Sequence, residues 1–347
     1  MTGMRRLAFI TILGFAVYCS MPAQQADPEV AKLSLLFMGD IMGHDEQIWS
    51  AENRETGEYN YDDVFRYIKP RIERADIAIG NLEVTLGGPP YKGYPAFSSP
   101  AALAAACKNA GIDCLVTANN HSADRGKKGI LGTISRLDSL GIPHTGTFAD
   151  SEARDTLTPL LLEKNGFRLA LLNYTYGTNG IRVPPPVVVN LINRDSIASD
   201  ILKAEKQSPD LVIVFLHWGV EYDTVPRKDQ KELADFLFEK GADLVIGSHP
   251  HVIQKMDWLK KTENTGDRVV AWSLGNFVSN QRKPKTDGGT MIRISAEKRG
   301  NEVTITDASY MLTWVYTPIE KYRKRFFILP CDEFENKADF FRSKADY

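Results

Sequence analysis

Short apolar segments alternate with longer segments of helical periodicity along most of this sequence. The apolar segments are bounded by Gly, Asp and Asn, which is typical of buried strands. Strands are predicted at 33–38, 76–79, 114–117, 169–173, 211–216, 243–246 and 269–273. Helices are predicted at 61–74, 100–109, 127–140, 197–207 and 227–240. This alternation predicts an α/β fold whose central strands are buried on both faces.

The pattern changes after about residue 285, where residues 290–295 and 302–306 are predicted to form strands. We therefore assign residues 281–347 to a β-rich C-terminal completion of the domain formed by residues 33–280. A length of 347 residues suits one large α/β domain or two modest ones. No internal repeat or low-complexity tract separates the two parts of the sequence.

The composition is that of an ordinary globular chain, with 43% hydrophobic and 25% charged residues, which excludes a disordered or fibrous protein. There are 42 basic and 44 acidic residues. Because there is no basic surplus, nucleic acid is not an expected partner. Cys107 and Cys114 lie between a predicted helix and strand, and we interpret them as buried thiols rather than a disulfide.

The first residues have the features of a secretory signal peptide. Arg5 and Arg6 precede an apolar run of twelve residues, 7–18. A helix of that length rises about 18 Å, which is short of the roughly 30 Å hydrocarbon core of a membrane. We assign residues 1–23 to the signal, with cleavage after Ala23, and expect a periplasmic, cell-envelope or extracellular protein. A lipid anchor at Cys19 is the alternative, although Tyr18 is bulky for the position before a lipidated cysteine.

N-terminal sequencing of the protein purified from the cell envelope should give a first residue near Gln24. The reason is that the small residues at the end of the apolar run suit a signal peptidase. A lipid-modified Cys19 at the N-terminus would favour the anchored form. An intact Met1 in cytosolic protein would contradict export.

Polar residues follow the predicted strands at six places. The carboxyl ends of strands form the ligand-binding crevice of open α/β sheets, so these residues are expected to converge. They are Asp40; Asn81 and Glu83; Asn119, Asn120, His121 and Asp124; His217, Glu221 and Tyr222; His249 and His251; and Ser273 and Asn276.

These residues have the chemistry of metal ligands. Four of the six histidines of the chain lie among them, and His249 and His251 form an H-x-H pair that can direct two imidazoles at one centre. Mn, Fe and Zn accept imidazole together with carboxylate and amide oxygen. We therefore predict one or two divalent transition-metal ions. The predicted ligands are Asp40, Glu83, Asn120, His217, His249 and His251.

The ordered motifs GD-x-M, NLE, NNH-x-x-D-x-G, HWG-x-E-Y, GSHPHV and SLGNF resemble those of the bacterial capsule synthesis CapA family, which is linked to poly-γ-glutamate biosynthesis. The resemblance covers about residues 33–280. It implies a role in making, exporting or processing an anionic envelope polymer such as poly-γ-glutamate. A membrane-bound capsule synthesis complex is a further candidate partner.

That family is in turn similar to the calcineurin-like metallophosphoesterases, which implies a four-layer α/β/β/α sandwich with two central sheets. The similarity places Asp40, Asn120, His217, His249 and His251 at metal-ligand positions. It also implies that His121 protonates a leaving group, with Asp124 orienting its ring. The residues predicted to bind substrate in the same motifs are Glu221, Tyr222 and Asn276.

Three departures from the phosphoesterase pattern are apparent. Met42 and Ser122 replace a histidine and an acidic ligand, and GNLE replaces a Gly-Asp motif, so that Asn81 or Glu83 takes the bridging position. We favour Glu83 because its charge better offsets that of the metals. His44 is either a substitute ligand or a solvated loop residue, and we favour the loop interpretation. We interpret His144 as structural or substrate-facing.

Three functions follow from this resemblance. The chain is a capsule-assembly factor whose metal site binds polymer carboxylates, a secreted metal-dependent phosphoesterase or other hydrolase, or a non-catalytic polymer-binding protein on the same fold. Because Met42 replaces an expected imidazole, we favour the assembly or binding role.

Overall fold

A computed structural model describes residues 30–262 and 266–345 of the chain. The strands are β1 (Ala31–Ile41), β2 (Ile77–Leu82), β3 (Cys114–Val116), β4 (His144–Thr145), β5 (Thr147–Phe148), β6 (Leu160–Lys164), β7 (Phe167–Thr175), β8 (Val188–Val189), β9 (Leu211–His217), β10 (Leu244–Ser248), β11 (Met256–Leu259), β12 (Arg268–Ala271), β13 (Asn276–Val278), β14 (Gly288–Arg299), β15 (Glu302–Tyr316), β16 (Ile319–Glu320), β17 (Arg323–Lys324) and β18 (Phe327–Pro330). The helices are α1 (Asp45–Ala51), α2 (Asp62–Phe65), α3 (Lys69–Ile72), α4 (Ala102–Asn109), α5 (Gly126–Leu140), α6 (Ser151–Leu157), α7 (Arg194–Glu205), α8 (Lys228–Glu239), α9 (Cys331–Phe334) and α10 (Ala338–Ala345).

Two mixed sheets form the centre of the molecule. The first has the order β18-β15-β14-β1-β2-β3-β4, with β13 also paired to β1, and the second has the order β11-β12-β10-β9-β7-β6. The neighbours β1, β2, β3 and β4 are parallel, as are β7, β9, β10 and β12. Strands β14, β15 and β18 extend the first sheet by antiparallel pairing, so residues after 281 complete it.

Apolar side chains alternate between the two faces of each sheet. One set, including Phe37 and Ile79 of the first sheet and Leu171 and Phe215 of the second, packs between the sheets. Helices α2 to α5 cover the outer face of the first sheet, and α7 and α8 cover that of the second. The predicted four-layer α/β/β/α sandwich is therefore confirmed.

The predicted helix at 61–74 is wrong in one respect, because the chain forms α2 and α3 with a turn between them. Pro70 lies in the first turn of α3 and has no backbone N–H to donate to the preceding turn, so a continuous helix would lose a hydrogen bond there. The other predicted helices and strands are present with shifts of a few residues at their ends, except that the strand predicted at 302–306 continues to Tyr316 as β15.

Cys107, Cys114 and Cys331 are free thiols, and the first two are buried in the apolar layers. Within residues 30–262 and 266–345, no helix has the length and apolar character needed to cross a membrane. The predicted signal peptide and Cys19 lie outside the described residues.

Candidate metal centre

Asp40 lies where β1 changes neighbours, and the strand register shifts on both sides of it. A Cβ atom at Gly39 would lie 2.0 Å from the carbonyl oxygen of Gly275, so only glycine allows this approach of the chains. The N–H of Asp40 donates to the same carbonyl at 3.0 Å. The Asp40 carboxylate is thereby fixed in a fully buried position, where it accepts a hydrogen bond from Asn81 Nδ2 at 2.8 Å.

Glu83 follows β2 and is also fully buried. Neither of its carboxylate oxygens has a hydrogen-bond partner among the described residues. Oε1 lies 3.5 Å from His217 Nε2 and 3.8 Å from His251 Nε2. Burial and, next, the charge of Asp40 raise the pKa of Glu83 well above its ordinary value. A bound cation would offset the cost of burying this unpartnered carboxylate, so the residue fits a metal site.

The imidazoles come from the second sheet. His217 ends β9, and His249 and His251 follow β10 with φ angles of 99° and 57°. This left-handed backbone costs about 1–3 kcal/mol per residue and is typically found at functional sites. It brings the His249 ring centroid within 4.7 Å of that of His217 and 5.9 Å of that of His251.

Hydrogen bonds orient the His251 ring. Its Nδ1 lies 3.1 Å from Asp40 Oδ2 and 3.0 Å from Asn276 Oδ1. Because both partners are acceptors, the proton is assigned to Nδ1, which leaves the Nε2 lone pair for a metal. Asn276 Nδ2 donates to Thr286 O at 2.8 Å. Asn276 is buried, and it positions the His251 ring through this network. Its predicted contact with substrate stays a prediction.

The donors form two overlapping groups, one of Asp40, Glu83 and His217 and the other of Glu83, His249 and His251. Within each group the ligand atoms lie within 4.8 Å of one another. Asn120 adds its Oδ1, 2.8 Å from His217 Nε2. All six predicted metal ligands are thus brought together. Glu83 is common to both groups, and the mixture of imidazole, carboxylate and amide oxygen suits a metal site.

The electrostatics keep two of the imidazoles in the ligand form. Burial, followed by repulsion from the neighbouring histidines, lowers the pKa of His217 well below its ordinary value. The same two causes lower the pKa of His249 to about 3. Metals bind the neutral imidazole, so both rings are ready to coordinate at neutral pH.

His121 and Asp124 lie beside these donors. His121 Nδ1 is 2.8 Å from Asp124 Oδ2, and both side chains are almost completely buried. The N–H of Phe97 donates to the same carboxylate oxygen at 2.7 Å, and the Phe97 ring contacts the His121 ring edge-on at 4.6 Å. The Asp124 carboxylate therefore accepts a hydrogen bond from Nδ1–H of His121 and turns Nε2 to the opposite side of the ring, as a proton-transfer group requires.

Glu221 and Tyr222 lie at the edge of the centre. The N–H of Tyr222 donates to Pro250 O at 2.8 Å, and the Tyr222 ring centroid is 6.4 Å from that of His251. Burial, then the hydrogen bond to Glu221, raises the pKa of Tyr222 to about 12. Glu221 is exposed. Their predicted contact with substrate stays a prediction.

The two residues that depart from the phosphoesterase pattern face away from the donors. Met42 is 1% exposed and packs in the apolar layer between the first sheet and its helices. Ser122 Oγ lies 2.7 Å from the backbone carbonyl oxygens of both Thr117 and Asn119, which share its single hydroxyl hydrogen. Neither side chain belongs to the donor groups, so the centre is built without them.

The remaining two histidines lie outside the donor groups. His44 precedes α1, and its Nδ1 accepts a hydrogen bond from the N–H of Asn280 at 3.3 Å. His144 Nε2 lies 3.1 Å from Asp138 Oδ1, which supports the structural interpretation. Burial lowers the pKa of His44 to about 4, so this ring is a neutral loop residue.

The loop after β7 also reaches the centre, although none of its residues was predicted to lie there. The Tyr176 ring centroid lies 4.6 Å from that of His249, and Asn179 Oδ1 accepts a hydrogen bond from Asn120 Nδ2 at 3.2 Å. The segment NYTYGTNG follows a predicted parallel strand, so the strand-end rule that found the other residues could have found these two. Asn81 was noted, but its hydrogen bond to Asp40 required the structure.

The two stacked sheets, their flanking helices and the buried His/Asp/Glu cluster define the class of four-layer α/β/β/α proteins with a candidate metal centre. The structure of NAD nucleotidase from Haemophilus influenzae superposes on 91% of this chain and 63% of its own, with a TM-score of 0.53 and 13% identity. At this identity the likeness extends to the fold alone.

Within that class, residues 34–281 match the family model of the bacterial capsule synthesis protein PGA_cap, and the chain belongs to this family. It is 31% identical over 286 residues to the capsule biosynthesis protein CapA of Bacillus anthracis, which corresponds to 79% of this chain and 66% of that protein. It is 28% identical over 288 residues to the PGA biosynthesis protein CapA of Bacillus subtilis, which corresponds to 79% of this chain and 71% of that protein. The resemblance found in the motifs is therefore confirmed.

Proposed function

We propose that this protein acts in the biosynthesis of poly-γ-glutamate or a related anionic envelope polymer, and that it acts through the metal centre. The observation that carries the proposal is the unpartnered, fully buried Glu83 carboxylate among three imidazoles, in a chain of the capsule synthesis family. A cation bound at this place would offset the cost of burying the Glu83 carboxylate and could in turn attract the acidic groups of a polymer.

The residues that would hold one or two divalent ions are Asp40, Glu83, Asn120, His217, His249 and His251. A bound ion would supply Lewis acidity at the carboxyl edge of both sheets. The chain itself supplies the orientation, because Asn81 and Asn276 hold Asp40 and His251. His121 faces the same edge and can exchange a proton with a bound group.

We also propose that the protein is exported, with residues 1–23 as its signal peptide. A polymer of the cell envelope is assembled or processed outside the cytoplasm, so a periplasmic, envelope or extracellular location fits this role. The proposed partners are the polymer and a membrane-bound capsule synthesis complex.

The proposal is tested by deleting the gene in its host and measuring the glutamate content of the hydrolysed envelope polymer. Wild-type protein should restore the polymer, while the variant His249→Ala/His251→Ala should not. His144→Ala is the matched control, because it removes an imidazole that lies outside the centre. Normal polymer content in the deletion strain, or full restoration by the double variant, would contradict the proposal.

A specific observation also favours a second function, that of a metal-dependent phosphoesterase or other hydrolase. The buried His121–Asp124 pair beside the donors has the arrangement of a general acid and its orienting carboxylate. In a protein that only bound polymer, the same pair would supply a charge-assisted hydrogen bond and no turnover. Turnover therefore separates the two functions.

A further inference from the structure

We propose that Lys283 is an anion-recognition site at the edge of the metal centre. One unit of the substrate chain faces the metal, and Lys283 binds the carboxylate of the adjacent unit. This inference rests on the proposed function, since it assumes an acidic polymer as substrate. Lys283 belongs to the segment between β13 and β14, residues 279–287, which we call the basic loop. The loop contains Arg282, Lys283 and Lys285, and all three are exposed.

The basic loop is tied to the centre through Asn276. Asn276 Nδ2 donates to Gln281 Oε1 at 3.1 Å and to Thr286 O at 2.8 Å, while its Oδ1 lies 3.0 Å from His251 Nδ1. Thr286 closes the loop by donating to Lys283 O from its N–H at 3.1 Å and from its hydroxyl at 2.8 Å. The side chain that orients His251 therefore also fixes both ends of the basic loop.

Tyr222 provides a second connection between Lys283 and the centre. Lys283 Nζ lies 3.8 Å above the Tyr222 ring centroid, and this ring is 6.4 Å from the His251 ring. A cation above an aromatic face is attracted by the electron-rich ring and keeps its remaining N–H groups for a ligand. Tyr222 has a φ of 70° and is held by its hydrogen bond to Pro250. This strained backbone places the Tyr222 ring beside the H-x-H segment.

The charge on the basic loop is available to a ligand. Among the ion pairs of the described residues, none involves Arg282, Lys283 or Lys285. The Asp40 and Glu83 carboxylates are completely buried. Asp287 of the loop and Glu46 interact with Arg282, and the exposed Glu221 lies beside Tyr222, so Lys283 and Lys285 carry the charge that is open to a ligand. Two such cations beside a metal centre suit a ligand that carries a negative charge on each repeating unit. A polyglutamyl chain has this pattern, with one carboxylate per unit.

The test measures the dissociation constant of a short γ-glutamyl oligomer for the metal-loaded protein. The control probe is the same oligomer with the free carboxylate of each repeating unit converted to an amide. Lys283→Gln should weaken binding of the acidic oligomer roughly three- to tenfold, the range of a partly exposed charge-assisted contact. It should leave binding of the amidated oligomer unchanged, and it should make binding less sensitive to salt.

Three further variants complete the design. Lys283→Arg keeps the charge and should retain most of the affinity. Tyr222→Ala removes the aromatic ring below Lys283 and should weaken binding as Lys283→Gln does. Lys206→Gln is the charge-matched control, because Lys206 is an exposed residue at the C-terminal end of α7. It should bind both probes as the wild type does.

Equal affinity of Lys283→Gln and wild type for the acidic oligomer would overturn the inference and leave the proposed function intact. Equal losses on the acidic and amidated oligomers would overturn it as well, because they would indicate a structural effect. No binding of the acidic oligomer by metal-loaded wild type would contradict the proposed function and this inference together.

Discussion

Replacing His249 and His251 together by alanine is expected to abolish stoichiometric metal binding, from one or two ions per chain to essentially none. The two imidazoles complete one of the two donor groups, and His249 also lies 3.1 Å from His217, a donor of the other. Elemental analysis of purified protein after incubation with Mn, Fe or Zn measures the effect. The wild type should also gain thermal stability from added metal, because a ligand of the native state stabilises it by mass action, and the variant should not.

The fold should survive this double replacement. Both residues lie in a loop beyond β10 and already occupy left-handed backbone, which alanine would occupy at similar cost. His44→Ala is the matched control, since His44 is a neighbouring imidazole outside the donor groups and should leave the metal content unchanged. Undiminished metal in a folded double variant would show that the ions bind elsewhere.

Replacement of His121 by alanine should separate catalysis from binding. If the protein is a hydrolase, His121→Ala should retain its metal and lose turnover roughly 10²–10⁴-fold, the usual range for a missing general acid. If the protein only binds polymer, the same change should weaken binding by about 1.5–3 kcal/mol, the contribution of one charge-assisted hydrogen bond. The assay is hydrolysis of an aryl phosphodiester and of poly-γ-glutamate, alongside a binding titration with the polymer.

Asp124→Asn provides a graded comparison, because it keeps a side-chain oxygen beside His121 Nδ1 and removes the charge that stabilises the protonated ring. Turnover by this variant should fall less than in His121→Ala, and its pH profile should shift. Full activity of His121→Ala would exclude this residue from the mechanism. Absence of turnover by the metal-loaded wild type on both substrates would leave the assembly or binding role.

Much of the fold follows from local sequence rules. Buried parallel strands require continuous apolar runs, and these are visible at β1, β7 and β9. The break between α2 and α3 was also accessible, because Pro70 forbids a hydrogen bond that a continuous helix needs. The stacking of the two sheets was not accessible from local rules, because it depends on which apolar faces meet across the core. The prediction of this stacking came from the family resemblance.

The site, like the fold, could be predicted from local sequence rules only in part. The rule that ligands gather at the carboxyl ends of parallel strands brings Asp40, Glu83 and His217 together. The direction of an amide is not encoded in this way, so the hydrogen bond between Asn276 and His251 required the structure. Tyr176 follows β7 as the other site residues follow their strands, so the same rule could have found it, whereas its contact with His249 required the structure.

The donors of the centre are divided between the two halves of the chain, and the division is chemical. Asp40, Glu83 and Asn120, at or just beyond the ends of strands of the first sheet, offer oxygen atoms. His217, His249 and His251, at or just beyond the ends of strands of the second, offer nitrogen. Oxygen donors alone favour hard ions such as Mg²⁺ and Ca²⁺, and imidazoles shift the preference towards transition metals. The choice of metal is therefore made only when the two sheets stack. Separation of the sheets would change the identity of the preferred ion as well as its affinity.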